Sequence, residues 1–167
     1  MIYVTVGNHC QGFDRLIRAA DGLAQGFGEP FFAQIGQSAY VPTRMEWTRF
    51  EPYTAAVDHI KNASCVISHA GIGTIINAKN FGVPIVIVPR KKSFGEHFND
   101  HQAEMAEKLT KENRPRVFLS EPLDTLESCV RRAMEKRVAP AGDDFRGRAA
   151  IVSLIKDFVE RVATEQS

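Results

Sequence analysis

The chain is short of cysteine, has a single tryptophan, and carries no excess of either charge; each shortage excludes something. Its 167 residues include three cysteines. Cys10, Cys65 and Cys129 lie far apart, match no metal-ligand spacing, and as an odd, scattered set argue against a disulfide framework. Such usage fits a reducing compartment, and Cys65, inside an apolar run, reads as a small core residue. Basic and acidic residues number 21 and 20, a formal net charge of +1, so no basic stripe for a nucleic acid is expected. No apolar run approaches the roughly 20 residues that span a membrane. Strand-like residues begin by Tyr3, so no secretory leader is expected before the fold. A cytoplasmic protein is the expectation, with any membrane contact made through a partner.

What is present is ordinary in bulk and specific in detail. A composition 44% hydrophobic and 25% charged, at this length, describes one globular domain with a real core. Apolar runs at 2–6, 31–35, 65–67, 85–88 and 117–119, with the more polar segment 46–50 stopped by Pro52, predict about six strands. Between them, stretches at 13–27, 55–60, 74–81, 101–111 and 123–137 predict helices; in the first, Phe13, Leu16, Ile17, Ala20, Leu23 and Ala24 share one face. Near-continuous apolar strands alternating with amphipathic helices predict an α/β fold, a Rossmann-like doubly wound parallel sheet covered on both faces. The domain runs over 1–137. Pro140 and Gly142 break the chain, and 149–162 predicts an extra C-terminal amphipathic helix, its broad apolar face including Leu154, Ile155 and Phe158. That helix either packs back on the domain or docks a partner.

In such sheets ligands bind beyond the carboxyl ends of the strands. Two of these ends are unusual. Gly7-Asn8-His9 follows the first strand, and Ser68-His69-Ala70-Gly71-Ile72-Gly73-Thr74 follows the fourth. Glycines there permit tight turning and close backbone approach to a ligand. The N–H groups of the helix beginning near Thr74 favour an anion, and the Thr74 hydroxyl adds to that surface. The turn matches neither the dinucleotide fingerprint nor the phosphate loop ending in Gly-Lys-Ser/Thr, so a plain structural connection stays open. A third cluster is Glu96-His97-Phe98-Asn99-Asp100-His101-Gln102. Asn99 or Asp100 caps the following helix, whose first turn holds His101 and Gln102. His97 and His101 are four apart, but the helix begins between them, so no metal site is expected. Arg90-Lys91-Lys92 suits an acidic sugar, an acceptor phosphate or lipid headgroups, or is simply a solvated basic loop.

Taken in order, Val4-Thr5-Val6-Gly7, Val66-Ile67-Ser68-His69-Ala70-Gly71-Ile72-Gly73-Thr74, Gly82-Val83-Pro84 and Asn99-Asp100-His101-Gln102 resemble the Alg13-like proteins. These correspond to the C-terminal, donor-binding half of GT-B glycosyltransferases related to MurG. Within that group the chain looks most like bacterial exopolysaccharide subunits of the PssE type. The resemblance implies a single Rossmann-like domain that binds a UDP-sugar and needs no cofactor. It also implies inverting transfer of the sugar to a lipid-linked acceptor, with an Alg14-like membrane-anchored subunit as partner. By the same resemblance Gly7 and Asn8 line the cleft between the halves. His69, Ala70, Gly71, Gly73 and Thr74 meet the diphosphate, and His101 with Gln102 reaches the donor sugar. Glu96 and His97 lie in the same donor-side loop. Asn77 stands where relatives usually carry a glutamate that grips the ribose, and an amide lacks a carboxylate's charge assistance. The catalytic base is expected across the cleft; His9 is the one candidate in this chain, and an ordinary surface histidine is the competing reading. Two other functions remain: a stand-alone UDP-sugar epimerase or hydrolase, which would need self-association to complete a cleft, and a non-catalytic nucleotide-binding or interaction subunit.

Overall fold

A computed structural model of the protein describes residues 1–111 and 116–136; the expected break after 137 and the helix at 149–162 lie outside them. Six strands form the sheet: β1 Ile2–Thr5, β2 Phe31–Gln34, β3 Glu46–Thr48, β4 Cys65–His69, β5 Ile85–Val88 and β6 Val117–Leu119. Five helices connect or cover them: α1 Asp14–Leu23, α2 Tyr53–Asn62, α3 Ile72–Asn80, α4 His101–Lys111 and α5 Leu126–Glu135. The strand order is β3-β2-β1-β4-β5-β6, and every neighbouring pair is parallel. The expected doubly wound Rossmann-like sheet is therefore the fold observed.

The apolar runs follow from burial on both faces. Successive side chains of a strand point to opposite sides. Ile2 and Val4 pack with Leu16, Ile17 and Ala20 of α1 and with Leu126, Val130 and Ala133 of α5. Tyr3, Val66, Ile85 and Ile87 pack on the other face with Ile60, Ile75, Ala78 and Ala106. Full burial of each such aliphatic side chain stabilises the fold by about 1.5–3 kcal/mol. Tyr3 adds a polar anchor. Its buried hydroxyl donates to the Glu51 carboxylate, which also accepts from His59 Nδ1 at 2.7 Å, tying the segment before α2 to the centre of the sheet. Burial, reinforced by Glu51, pushes the Tyr3 phenol far above its ordinary value.

Several element bounds differ from the sequence expectation. The first helix ends at Leu23 rather than near 27, because Gly26 and Gly28 follow and glycine is a poor helix former. β4 continues through Ser68 and His69, which pair with Ile87 and Val88 of β5. A parallel ladder is satisfied by backbone alone, so polar side chains extend the strand where an apolar count stops. α3 correspondingly starts at Ile72, and the turn between strand and helix shrinks to Ala70-Gly71. The expected helix at 123–137 opens with a 3-10 turn, Leu123–Thr125, before α5.

Strand order reverses direction between β1 and β4, the point at which sheets of this class receive ligands beyond the strands' carboxyl ends. Thr5 is in register with Ser68. The Gly7 loop and the His69 turn therefore leave the sheet side by side.

Candidate functional site

The crevice is built around one imidazole. Gly7 has a left-handed backbone, φ +69°, and a Cβ there would come within 2.5 Å of His69 Cε1; a Cβ on Gly71 would overlap the same ring. His69 is thus wedged between the two loops, and these two glycines make room for a side chain. Gly73 is different. A Cβ added there meets nothing within 4 Å, so the space above it is open to a ligand. The Gly71 N–H donates to the His69 carbonyl at 2.8 Å, and no side chain caps the first turn of α3. Its leading N–H groups stand ready for an anion, with half-buried Thr74 in the same turn. Ala70 is fully buried beneath them.

Burial and then the nearby positive charge of Arg90 push His69 down to about 4, so its ring is neutral at pH 7. An unfolded histidine titrates near 6.5, so the unfolded chain binds the extra proton between those values. The stabilisation from a neutral His69 is complete above pH 6.5 and is lost as pH falls towards 4, at most about 3 kcal/mol. Asp21 acts at lower pH. Burial alone would raise its carboxyl, but hydrogen bonds from Tyr40, Arg44 and Thr43 outweigh it and hold the group below its ordinary value. Its contribution is present above the ordinary carboxylate range and lost as pH falls below it. Urea unfolding between pH 7 and 4.5 is expected to show falling stability, with a shallower fall in His69→Asn; an unchanged slope would contradict the wedge.

A buried polar thread positions the other wall. The Gly7 N–H donates to Thr5 Oγ1 at 3.2 Å, the Thr5 hydroxyl to Gln34 Oε1 at 2.7 Å, and the Gln34 amide to Asn8 Oδ1 at 3.0 Å. Asn8 itself is exposed at the rim. His9 stacks on His97 with ring centroids 4.8 Å apart and lies 5.6 Å from the Phe98 ring. Burial, Arg90 and His97 lower its pKa. Its Nδ1 accepts the Gln11 N–H at 3.1 Å, so the lone pair a base would use is already engaged.

The 89–100 loop forms the third wall. Arg90 is completely buried, which overturns the solvated-loop reading for this residue. Its guanidinium donates to the carbonyls of Val6 at 2.9 Å and of Gln11, Gly12 and Glu96 at 3.0 Å each, and lies 4.7 Å from the Phe13 ring centroid. Burial pulls it down to about 10, so it stays charged at neutral pH. Buried Glu96 grips Arg15 through both oxygens at 2.9 Å and accepts the Lys91 N–H at 3.0 Å. Its carboxylate shapes the loop, whatever a ligand then meets there. Lys91 pairs with Glu121 at 2.7 Å. His97 Nδ1 accepts the Asn99 N–H at 3.3 Å.

At α4 the capping work is divided. Asn99 Oδ1 accepts the His101 N–H at 3.4 Å, while the Asp100 carbonyl accepts from Ala103 at 3.0 Å. The Asp100 carboxylate turns to the Lys92 N–H at 2.9 Å. Gln102 Oε1 accepts the Arg90 N–H at 3.2 Å, which assigns the amide and leaves its NH2 as the group to offer a ligand. His101 is half-buried beside it. On α3, the Asn77 amide reaches the exposed Tyr53 hydroxyl at 3.4 Å. Among the described residues no group of three or more His, Cys, Asp or Glu is placed to hold a metal ion, and no helix is long and apolar enough to cross a membrane.

Sequence reasoning missed Arg90, Arg15, Thr5 and Gln34 as the frame of this crevice. Arg90 bonds to carbonyls 84, 79 and 78 positions away, and Arg15 meets Glu96 across 81; no local pattern signals such pairs.

A parallel six-stranded sheet with a crevice at its switch point is the architecture of one half of a GT-B glycosyltransferase. The family model described as the glycosyltransferase family 28 C-terminal domain matches residues 1–150, and the chain belongs to that family. It is 34% identical over 126 residues to the human UDP-N-acetylglucosamine transferase subunit ALG13, a match covering 66% of this chain and 10% of that protein. Among solved structures, the kitacinnamycin glycotransferase superposes with a TM-score of 0.60 at 16% identity, covering 80% of this chain and 34% of its own. The spinosyn forosaminyltransferase SpnP gives 0.53 at 19% identity, covering 90% and 43%. The chain thus spans less than half of either enzyme, as a half-domain should.

Proposed function

We propose that this chain is the donor-binding subunit of a two-component inverting glycosyltransferase, moving a sugar from a UDP-sugar to a lipid-linked acceptor. The observation that carries the reading is the uncapped first turn of α3 beneath the open space at Gly73, sited at the switch point of the sheet. The diphosphate lies against the α3 N–H groups and Thr74. The sugar extends towards Gln102, whose NH2 suits a hydroxyl acceptor, and towards His101; Gly7 and Asn8 border the opposite side. An acceptor hydroxyl attacks the anomeric carbon, the bond to the diphosphate oxygen breaks, and the helix dipole stabilises the growing negative charge.

The acceptor's proton goes to a base on a partner subunit, because the His9 lone pair is held by Gln11. The human relative is itself named as a subunit, which supports an assembly with a membrane-anchored, Alg14-like chain at the cytoplasmic face. A role in exopolysaccharide synthesis is the finer reading. Isothermal titration of the chain with UDP and ADP is the direct test, followed by a UDP-sugar screen on the co-expressed pair. UDP preferred over ADP, with turnover only in the pair, is the expected result. A preference for ADP would defeat the uridine assignment, turnover by the isolated chain would favour a self-sufficient enzyme, and binding without turnover in the pair would favour a non-catalytic subunit.

A further inference from the structure

Arg90 is the largest fully buried side chain in the described protein, and its guanidinium is spent on backbone carbonyls rather than on the acidic sugar, phosphate or headgroup that the sequence offered it. Its surroundings are unusual for a buried cation. Carboxylates usually pair directly with such a charge; here the Glu96 carboxylate favours the cation through its charge but bonds to Arg15, and the guanidinium itself donates to four carbonyl oxygens. Three of the four belong to the 6–12 loop and one to the 89–100 loop. Apart from a 3-10 turn at Lys92–Phe94, neither loop has regular structure, and carbonyls left outside it need partners when buried. The Arg90 main-chain N–H meanwhile fixes Gln102 at the start of α4. One residue thus ties together the 6–12 loop, its own loop and the start of α4.

We propose that Arg90 is a positioning residue that locks the 6–12 loop to the 89–100 loop and to Gln102, setting the width of the ligand crevice. The planar fork of arginine spans several carbonyls at fixed angles, a geometry that a lysine ammonium does not reproduce. The consequence for ligand binding rests on the donor site proposed above; the coupling between loops does not, and is read in the free protein.

The test is amide hydrogen exchange on the full chain, comparing Arg90→Met with the unaltered protein and following UDP affinity in parallel. Exchange in 6–12 and 91–100 is expected to quicken together, by about tenfold or more, since a hydrogen bond to a charged group is worth about 1.5–3 kcal/mol. Protection in β4 and β5 should stay. UDP affinity should fall by a similar factor. If Arg90→Met does not fold, Arg90→Lys carries the test, because it keeps the charge and loses the span; the same paired quickening is expected. Quickening in one loop alone, in neither, or uniformly across the sheet overturns the proposal. Failure of the unaltered protein to bind UDP, with paired loosening intact, would instead overturn the donor reading.

Discussion

A Gly73→Ala chain is expected to fold at least as well as the unaltered protein and to lose most of its affinity for UDP. The two halves of that expectation have separate causes. Gly73 lies in the first turn of α3, where glycine costs a helix up to about 1 kcal/mol relative to alanine. An added Cβ meets no protein atom within 4 Å, so nothing in the fold offsets the gain. The same methyl occupies the space through which a phosphate must approach the helix N–H groups. Losing one charge-assisted hydrogen bond costs about 1.5–3 kcal/mol, roughly a tenfold to hundredfold drop in affinity. Thermal melts and calorimetric titration on the same sample read both halves. Retained UDP affinity in Gly73→Ala would remove this turn from the site.

Two residues earlier the same substitution should do the opposite. Gly71→Ala is expected to lose stability, because its Cβ drives into the imidazole of His69, which Gly7 blocks on its other side. The Gly71 backbone, φ −84° and ψ 125°, is open to any residue, so the damage is steric. Overpacking of this kind costs about 1–3 kcal/mol. The cause is separable by a double-mutant cycle with His69→Ala. With the ring gone, the Gly71→Ala methyl has room, and the combined loss should fall clearly short of the sum. Additive losses would show that the strain lies elsewhere. Two glycines in one short motif thus differ in their surroundings, one closed by a side chain and one facing open space.

That distinction marks how far the sequence is legible. The central strands declare themselves because a doubly covered parallel sheet needs nearly unbroken apolar runs, as in Ile85–Val88, while the exposed edge strand Glu46–Thr48 carries no such signal. The helices declare themselves through their one apolar face. The switch point is readable as well, since the glycine turns after the first and fourth strands stand out from their surroundings. What is not readable is the frame that holds the turns. Arg90 looks like the first of three solvated cations, yet its burial is decided by carbonyls contributed from the far end of the chain. Glu96 looks only like a group offered to a ligand, and its bidentate grip on Arg15 has no signal in the sequence. Charged residues in loops carry no periodicity, so their partners emerge only when the topology brings distant segments together. The bounds of β4 shifted for a related reason: backbone pairing continues through Ser68 and His69 after the apolar signal has stopped.

The thread from Gly7 to Asn8 has a directional consequence. A main-chain N–H can only give a proton, so the Thr5 oxygen must receive from Gly7 and pass its own hydrogen to the Gln34 carbonyl oxygen. Gln34 is thereby oriented nitrogen-first towards Asn8, whose oxygen is consumed in turn. An immovable amide at the start of the chain of bonds settles which end of a rotatable amide is left for the crevice. Asn8 arrives there with its NH2 end outward, by the same logic that turns the NH2 of Gln102 away from Arg90, so both amides present donors rather than acceptors.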